Sequence, residues 1–175
     1  MSSDDDTLTE KGTIQNRMLI SFLKTLKLDV VISSPTSRTI SIAKELNRPF
    51  LVEPLLNERD IGPFKGRKKS EFFNFCKDNK FSFETCKTDL IEDYEAVFER
   101  ANKFKDFLVK HYRKKSIVII SHSSVLIALL CALLDKKSNL MYITSLQNVS
   151  VSHIVLEDDL RPVIKYINST AYLFK

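Results

Sequence analysis

Two short polar segments of the sequence contain residue types that bind anions and transfer protons. They are residues 33–38, with the sequence SSPTSR, and residues 121–124, with the sequence SHSS. Arg38 offers a planar guanidinium that fits phosphate oxygens, and His122 can donate a hydrogen bond or a proton near neutral pH. Helix capping by Ser and Thr would explain either segment alone, and His122 could be a satisfied core histidine. Together the two segments favour an anion site.

A third segment, residues 56–62 with the sequence LNERDIG, places a carboxylate, a guanidinium and a glycine close together. If this loop lies over the same edge of the fold, Glu58 could transfer a proton while Arg59 binds the substrate. A surface ion pair in a turn, which contributes little stability, is the alternative explanation for these two residues.

Hydrophobic periodicity predicts the elements that would position these segments. Apolar residues at three- and four-residue spacing predict amphipathic helices from Thr9 to Leu26 and from Glu92 to Lys110. The other predicted elements are strands at residues 29–33, 50–53, 116–121, 149–156 and 163–167 and helices at residues 34–46, 68–78 and 124–134. Alternating strands and helices predict an α/β fold, a three-layer sandwich with a mostly parallel central sheet. Ligands of such sheets bind beyond the carboxyl ends of the strands.

Length and composition limit the class of protein. The chain has 175 residues, of which 43% are hydrophobic, and this suits one domain over residues 1–175. Three cysteines without paired spacing argue against a disulfide framework or a zinc module. Proteins without disulfides are typical of reducing, intracellular compartments, so we expect a cytoplasmic protein. Polar residues interrupt the apolar stretch at 117–134, which argues against a membrane span. The net charge of +5 suits a phosphorylated small molecule at least as well as nucleic acid.

The sequence resembles the histidine phosphatase superfamily, the phosphoglycerate-mutase-like phosphatases, along nearly its whole length. Four segments are similar to motifs of that family, in the order in which the family has them. They are residues 8–15 (family pattern LTxxGxxQ), residues 31–43 (SSPxxRxxxTA), residues 56–66 (LxExxxGxxxG) and residues 118–123 (VxHG). Residues 148–152 and 168–173 resemble two further family segments near the C-terminus.

The resemblance implies a phosphatase that forms a phosphohistidine and uses neither metal nor cofactor. Three residues would be catalytic: Arg38 would clamp the phosphate, His122 would donate to a phosphoryl oxygen, and Glu58 would protonate the leaving alcohol and then activate water. Arg59 and Ser123 are expected to contact the phosphate together with Arg38. The segment that makes mutases longer is short here, so a phosphatase is favoured over a mutase.

The sequence departs from the family at the nucleophile. In the family, an RHG triplet ends a first, central strand, and none of the histidines here, His111, His122 and His153, follows an arginine. We therefore expect that central strand to be absent, which would leave a gap in the sheet, and we expect the gene to encode it upstream. Relative to the family the chain is short by roughly 20 to 30 residues.

Two other functions remain open on the sequence alone. A non-catalytic descendant of the family would bind phosphorylated ligands or a protein partner, with a homodimer as one way to fill the gap. A nucleotide or nucleic-acid binder is the weaker alternative, because the chain has neither a GxGxxG nor a GxxxxGK[ST] segment and its basic residues are dispersed.

Overall fold

The chain folds around a parallel sheet of three short strands. They are Val30–Ser33 (β1), Phe50–Val52 (β2) and Ile117–Ile120 (β3) in the computed structural model, which describes residues 8–83, 85–135 and 145–174. Their order is β2-β1-β3, with β1 in the centre. The last two strands, Val151–Leu156 (β4) and Pro162–Ser169 (β5), pair with each other as a separate antiparallel hairpin. The predicted mostly parallel sheet is thus confirmed.

Five helices in the described residues surround the sheet. They are Glu10–Lys24 (α1), Ser37–Glu45 (α2), Lys69–Asp78 (α3), Tyr94–His111 (α4) and Ser123–Leu133 (α5). The first begins where its capping residue predicts, since the Thr9 side chain accepts a hydrogen bond from the Gly12 amide at 3.1 Å. None of these helices has both the length and the apolar character that crossing a bilayer requires.

Side chains on β1 and β3 alternate between two helical layers. Ile32, Ile117 and Ile119 pack with α4 and α5, whereas Val31 and Ile120 pack with α1 and α2. Alternate residues of a strand point to opposite faces, so helices on both sides bury a strand that is apolar throughout. The arrangement confirms the predicted three-layer α/β sandwich.

One edge of the sheet is less buried than its sequence predicts. Three residues of β3, Ile117, Val118 and Ile119, are only half-buried, although the run 116–121 predicts a fully buried strand. The reason is that, within the residues that the structure describes, β3 pairs with a strand on one side alone, namely β1. A cavity of about 540 Å³ lies on its other side and extends to β4.

The loop after β2 makes a close approach that only glycine permits. Gly62 has φ +53°, and a Cβ atom there would overlap the carbonyl oxygen of Leu90. Through this approach, the loop that contains Glu58 and Gly62 packs against the turn at Leu90, shortly before α4.

We expect Gly62→Ala to lower the free energy of unfolding by about 2 kcal/mol or more, since a left-handed backbone alone costs about 1–2 kcal/mol for other residues. Urea denaturation followed by circular dichroism measures this change. Gly12→Ala is the matched control, because a Cβ atom there meets Thr9 Oγ1 at an ordinary 3.4 Å and alanine favours a helix. Equal destabilisation by both substitutions would contradict the role of Gly62.

Candidate functional site

The two polar segments of the sequence meet at the carboxyl end of the sheet. β1 and β3 are neighbouring parallel strands in which Ser33 lies opposite Ile120, so the residues that follow them lie side by side. The Ser34 amide donates to the Ile120 carbonyl at 2.9 Å, and the Ser34 hydroxyl lies 2.9 Å from His122 Nε2. Residues 33–38 and residues 121–124, which the sequence analysis selects as candidates for an anion site, therefore meet in the structure.

His122 is held by partners at both ring nitrogens and is 6% exposed. Arg38 Nη2 lies 3.0 Å from Nδ1, while Ser34 Oγ and Thr36 Oγ1 lie 2.9 Å and 3.3 Å from Nε2. A guanidinium can only donate, so Nδ1 accepts in this arrangement and the ring hydrogen is assigned to Nε2. The neutral ring in this tautomer donates towards the Ser34 hydroxyl.

Glu58 joins this cluster from the loop after β2. Its Oε2 lies 3.6 Å from His122 Nδ1, and its Oε1 accepts from the Arg59 amide at 3.0 Å. Burial raises the pKa of Glu58 above its ordinary value, while hydrogen bonds from the Arg59 amide and the Ser124 side chain and the charge of Arg38 partly oppose the rise. The raised pKa keeps a larger fraction of the carboxyl group protonated near neutral pH, as donating a proton requires.

Hydroxyl groups fix the backbone around these side chains. Ser121 Oγ donates to the Leu56 carbonyl at 2.7 Å, which ties the Glu58 loop to the end of β3. Thr39 Oγ1 lies 2.8 Å from the Ser34 carbonyl oxygen and 2.9 Å from that of Thr36. These contacts hold the turn before α2 in the shape that brings Arg38 to His122.

The structure does not bring the side chain of Arg59 to the cluster. Its guanidinium is buried and donates to three backbone carbonyls: Glu92 at 2.6 Å, Phe83 at 2.8 Å and Cys86 at 3.1 Å. The guanidinium also lies over the rings of Phe72, Phe83 and Tyr94, at 5.6, 5.1 and 4.8 Å from their centroids. A cation with three carbonyl acceptors and three aromatic neighbours packs the loop against the segment before α4. This contrasts with the predicted phosphate contact.

Ser123, the other predicted phosphate contact, is the first residue of α5. Its side chain is exposed at the cavity that also borders Arg38, Glu58 and His122, and its Oγ accepts from the Leu146 amide at 3.4 Å. The residue therefore lies at the cluster, with its hydroxyl turned to a neighbouring loop.

Three serines of the site were not selected from the sequence: Ser34, Ser121 and Ser124. All three belong to the polar segments, but which serine would reach an imidazole or a carboxylate depends on contacts between distant parts of the chain. Among the described residues, no group of three or more His, Cys, Asp or Glu side chains is placed to hold a metal ion.

A cation, an imidazole and a carboxyl group at the carboxyl ends of parallel strands, beside helix N-termini, are typical of α/β proteins that bind anionic ligands. The sequence profile of the histidine phosphatase superfamily (branch 1) matches residues 2–170, and the chain belongs to this superfamily. The resemblance described for the sequence is thereby confirmed.

Relatives of the chain are named as phosphatases of several small molecules. Phosphoserine phosphatase 1 of Hydrogenobacter thermophilus is 28% identical over 177 residues, a match that covers 97% of this chain and 83% of that protein. The alpha-ribazole phosphatase from Shigella flexneri has a similar fold, with a TM-score of 0.81 at 21% identity over 97% of this chain and 88% of that one. The mycobacterial glucosyl-3-phosphoglycerate phosphatase also has a TM-score of 0.81, at 20% identity over 98% and 92% of the two chains.

Proposed function

We propose that the protein is a metal-independent phosphomonoester hydrolase of the cytoplasm that works through a phosphohistidine. The observation that carries this proposal is the contact of Arg38 with His122 at 3.0 Å, with the Glu58 carboxyl group 3.6 Å from the same ring nitrogen. A phosphoryl group at this place would meet a guanidinium, an imidazole and a proton donor. Positioning and stabilisation of charge on the phosphoryl oxygens account for most of the catalysis of phosphoryl transfer.

The reaction has two steps. A histidine nitrogen attacks phosphorus while the bond from phosphorus to the alcohol oxygen breaks, and that oxygen takes the proton of the Glu58 carboxyl group. Water then attacks phosphorus and gives its proton to the Glu58 carboxylate, the bond from phosphorus to nitrogen breaks, and phosphate leaves. Arg38 compensates the charge on the phosphoryl oxygens in both steps, and His122, when Nδ1 also carries a hydrogen, donates to one of them.

In this proposal the nucleophile is a histidine outside the 175 residues. Both nitrogens of His122 already have partners within the cluster. His111 lies in α4 against Phe107, with ring centroids 5.1 Å apart, and His153 lies on β4 against Tyr166, with centroids 5.6 Å apart. Because both ring nitrogens of His122 have partners and the rings of His111 and His153 pack against aromatic side chains, none of the three is the nucleophile in this proposal.

The substrate that fits the proposal is a small phosphomonoester. The relatives are named for phosphoserine, alpha-ribazole phosphate and glucosyl-3-phosphoglycerate, which share a phosphate on an alcohol oxygen. An alkoxide is a poor leaving group, so Glu58 would matter most for such esters and less for aryl phosphates.

The test compares the chain with a version extended ahead of Met1 by an apolar strand that ends in Arg-His-Gly. The extended protein is expected to hydrolyse phosphoserine and p-nitrophenyl phosphate and to form an acid-labile phosphohistidine, whereas the chain alone forms none. Turnover by the chain alone that His122→Ala abolishes would overturn the assignment of the nucleophile. Phosphate binding by the extended protein without any turnover would favour the alternative function, a non-catalytic protein that binds phosphorylated ligands.

In the extended protein, Glu58→Gln is expected to lower kcat for phosphoserine by about 10²- to 10⁴-fold and kcat for p-nitrophenyl phosphate much less. Burial raises the pKa of Glu58. The activity of the extended protein with Glu58 intact should therefore fall on phosphoserine as the pH rises through that raised pKa, because the carboxyl group then loses its proton. Rate profiles against pH measure both effects. Glu45→Gln, at an exposed position at the end of α2, is the control. An unchanged alkaline limb in Glu58→Gln would show that another group donates the proton.

A further inference from the structure

One ion pair with two parallel hydrogen bonds lies next to the Glu58 loop and takes no part in the two proposed reaction steps. Arg100 Nε donates to Glu92 Oε1 at 2.7 Å, and Arg100 Nη2 donates to Glu92 Oε2 at 3.1 Å. The two side chains are 15% and 19% exposed, so solvent screens them less than it screens a surface pair. We call this ion pair the loop clamp.

The loop clamp holds the Glu58 loop on both sides of Glu58. On the N-terminal side, Arg100 Nη1 donates to the Leu55 carbonyl at 2.7 Å, three residues before Glu58. On the C-terminal side, the Asp60 amide donates to Glu92 Oε2 at 3.1 Å, two residues after Glu58. A single ion pair thus fixes both ends of the segment that carries the carboxyl group.

The backbone of Glu92 makes two more contacts with the same loop. Its amide donates to the Asp60 carbonyl at 2.8 Å, and its carbonyl accepts from Arg59 Nε at 2.6 Å. Residues 57–61 form neither a helix nor a strand, so a regular series of backbone hydrogen bonds does not fix their shape. The place of Glu58 therefore depends on groups that reach this loop from other elements.

The helix α4 connects the loop clamp to the imidazole of the site. Arg100 lies in the second turn of α4, and Ala101, the next residue, is buried in one core cluster with Ala128 of α5. His122 is the residue that precedes the first turn of α5. The loop clamp therefore joins the Glu58 loop to the same pair of helices that positions His122. The 3.6 Å between Glu58 Oε2 and His122 Nδ1 depends on that connection.

The contacts of the loop clamp need the shape of a guanidinium. Nε and Nη2 of Arg100 lie along one edge of the plane and meet both oxygens of Glu92, while Nη1 points elsewhere, to Leu55. Lysine keeps the positive charge but cannot hold a carboxylate and a separate carbonyl in this fixed geometry. The substitution Arg100→Lys therefore removes the geometry and retains the charge.

The charge of Arg100 has only a minor effect on Glu58. Burial is the main influence and raises the pKa of Glu58, and the charge of Arg100 is the weakest of the effects that oppose this rise. Lysine at position 100 would preserve this effect. A change caused by Arg100→Lys would therefore report on the place of the Glu58 carboxyl group.

We propose that Glu92 and Arg100 are positioning residues that hold the Glu58 carboxyl group within reach of the leaving alcohol. Both lie outside the lining of the cavity that Arg38, Glu58 and His122 border, and they act through the backbone of the loop. The inference rests on the proposed function for the role of Glu58 in proton transfer. A displacement of about 1 Å in a reacting group can slow a reaction about 100-fold, so a loosened loop would reduce the rate.

Hydrogen exchange of single amides in the full chain, measured by NMR, tests whether the clamp holds the loop. Arg100→Lys should speed exchange at Asp60 and Arg59 by about tenfold or more, because both amides donate to carboxylates, that of Arg59 to Glu58 itself. The Ser34 amide, which pairs within the sheet, should exchange at its original rate. Equal acceleration at all three amides would indicate a general loss of stability and would overturn the proposal, as would an unchanged rate at Arg59.

Kinetics of the extended protein test whether the clamp acts through Glu58. Arg100→Lys should lower kcat for phosphoserine by about 10- to 100-fold and kcat for p-nitrophenyl phosphate much less, with little change in KM. In the Glu58→Gln background the same substitution should change kcat by about twofold or less, because there is no proton donor left to position. Losses that multiply in the double variant, or equal losses on both esters, would overturn the proposal.

Two other variants complete the test. Glu92→Gln keeps the size of the side chain but not its charge, so it should show the same pattern with smaller changes, and it serves if Arg100→Lys folds poorly. Arg48→Lys is the matched control, because Arg48 is also half-buried and donates to a carbonyl, that of Leu28, before the amino end of β1. It should change neither loop exchange nor kcat, and an effect as large as that of Arg100→Lys would overturn the proposal.

The two measurements separate this inference from the proposed function. If the extended protein hydrolyses neither ester, the proposed function fails, and hydrogen exchange in the full chain still decides whether the clamp holds the loop. If the extended protein is active but the effects of Arg100→Lys and Glu58→Gln are independent, the positioning role alone fails.

Discussion

Replacing Arg59 with alanine is expected to lower the free energy of unfolding by about 3–4 kcal/mol, because three backbone carbonyls would lose a buried donor and the packing against three rings would be lost. Chemical denaturation measures this change. For comparison, Arg48→Ala removes an arginine whose Nη1 donates to the Leu28 carbonyl at 3.0 Å and should cost about 1 kcal/mol.

Arg59→Lys distinguishes the role of the charge from the role of the shape of the guanidinium. Lysine keeps the positive charge but cannot direct donors to three carbonyls in a plane, so an intermediate loss of stability is expected. Phosphate affinity should be unchanged at temperatures where the variants remain folded. If Arg59→Lys left the stability unaltered but abolished phosphate binding, the result would support the phosphate contact that the sequence predicts for Arg59.

Arg38→Ala is expected to weaken binding of inorganic phosphate by about 10- to 100-fold, since a charge-assisted hydrogen bond to a phosphate contributes about 1.5–3 kcal/mol. Titration of the chain followed by ³¹P NMR or calorimetry measures this affinity without any need for turnover. The variant should stay folded, because Arg38 is half-buried beside an open cavity.

The matched control is Arg161→Ala, which removes an arginine that is 68% exposed and pairs only loosely with Asp159 at 3.9 Å. Its effect on phosphate affinity should be small and should vanish at high salt, because solvent and ions screen exposed charges. If the two variants weakened phosphate binding equally, the anion would be attracted by net charge and the cluster around His122 would not be its site.

Much of this fold follows from the sequence because local patterns agree with tertiary structure. The apolar run of β3 and the cap at Thr9 each have a local cause, and the structure places them within two residues of the prediction. The meeting of Arg38 with His122 was also predictable, because both follow strands of one parallel sheet.

The remainder of the site depends on distant contacts that periodicity does not encode. Arg59 stands next to Glu58 in the sequence, yet its guanidinium turns to carbonyls that lie 24 to 33 residues further on. The half-burial of Ile117–Ile119 likewise depends on what lies beside β3, and not on the residues of β3 themselves.

The pairing of β1 with β3 has a consequence for the order of folding. The Ser34–His122 contact joins residues 88 positions apart, and the Ser116 amide donates to the Asp29 side chain across 87 positions. Closing such long loops is slow because chain entropy is lost before the contacts compensate for it. A partly folded chain with β1 and α2 formed but β3 still free would have Arg38 in place without its imidazole. We therefore expect phosphate recognition to be acquired late in folding, and we expect an anion that binds the finished site to stabilise the completed sheet as well.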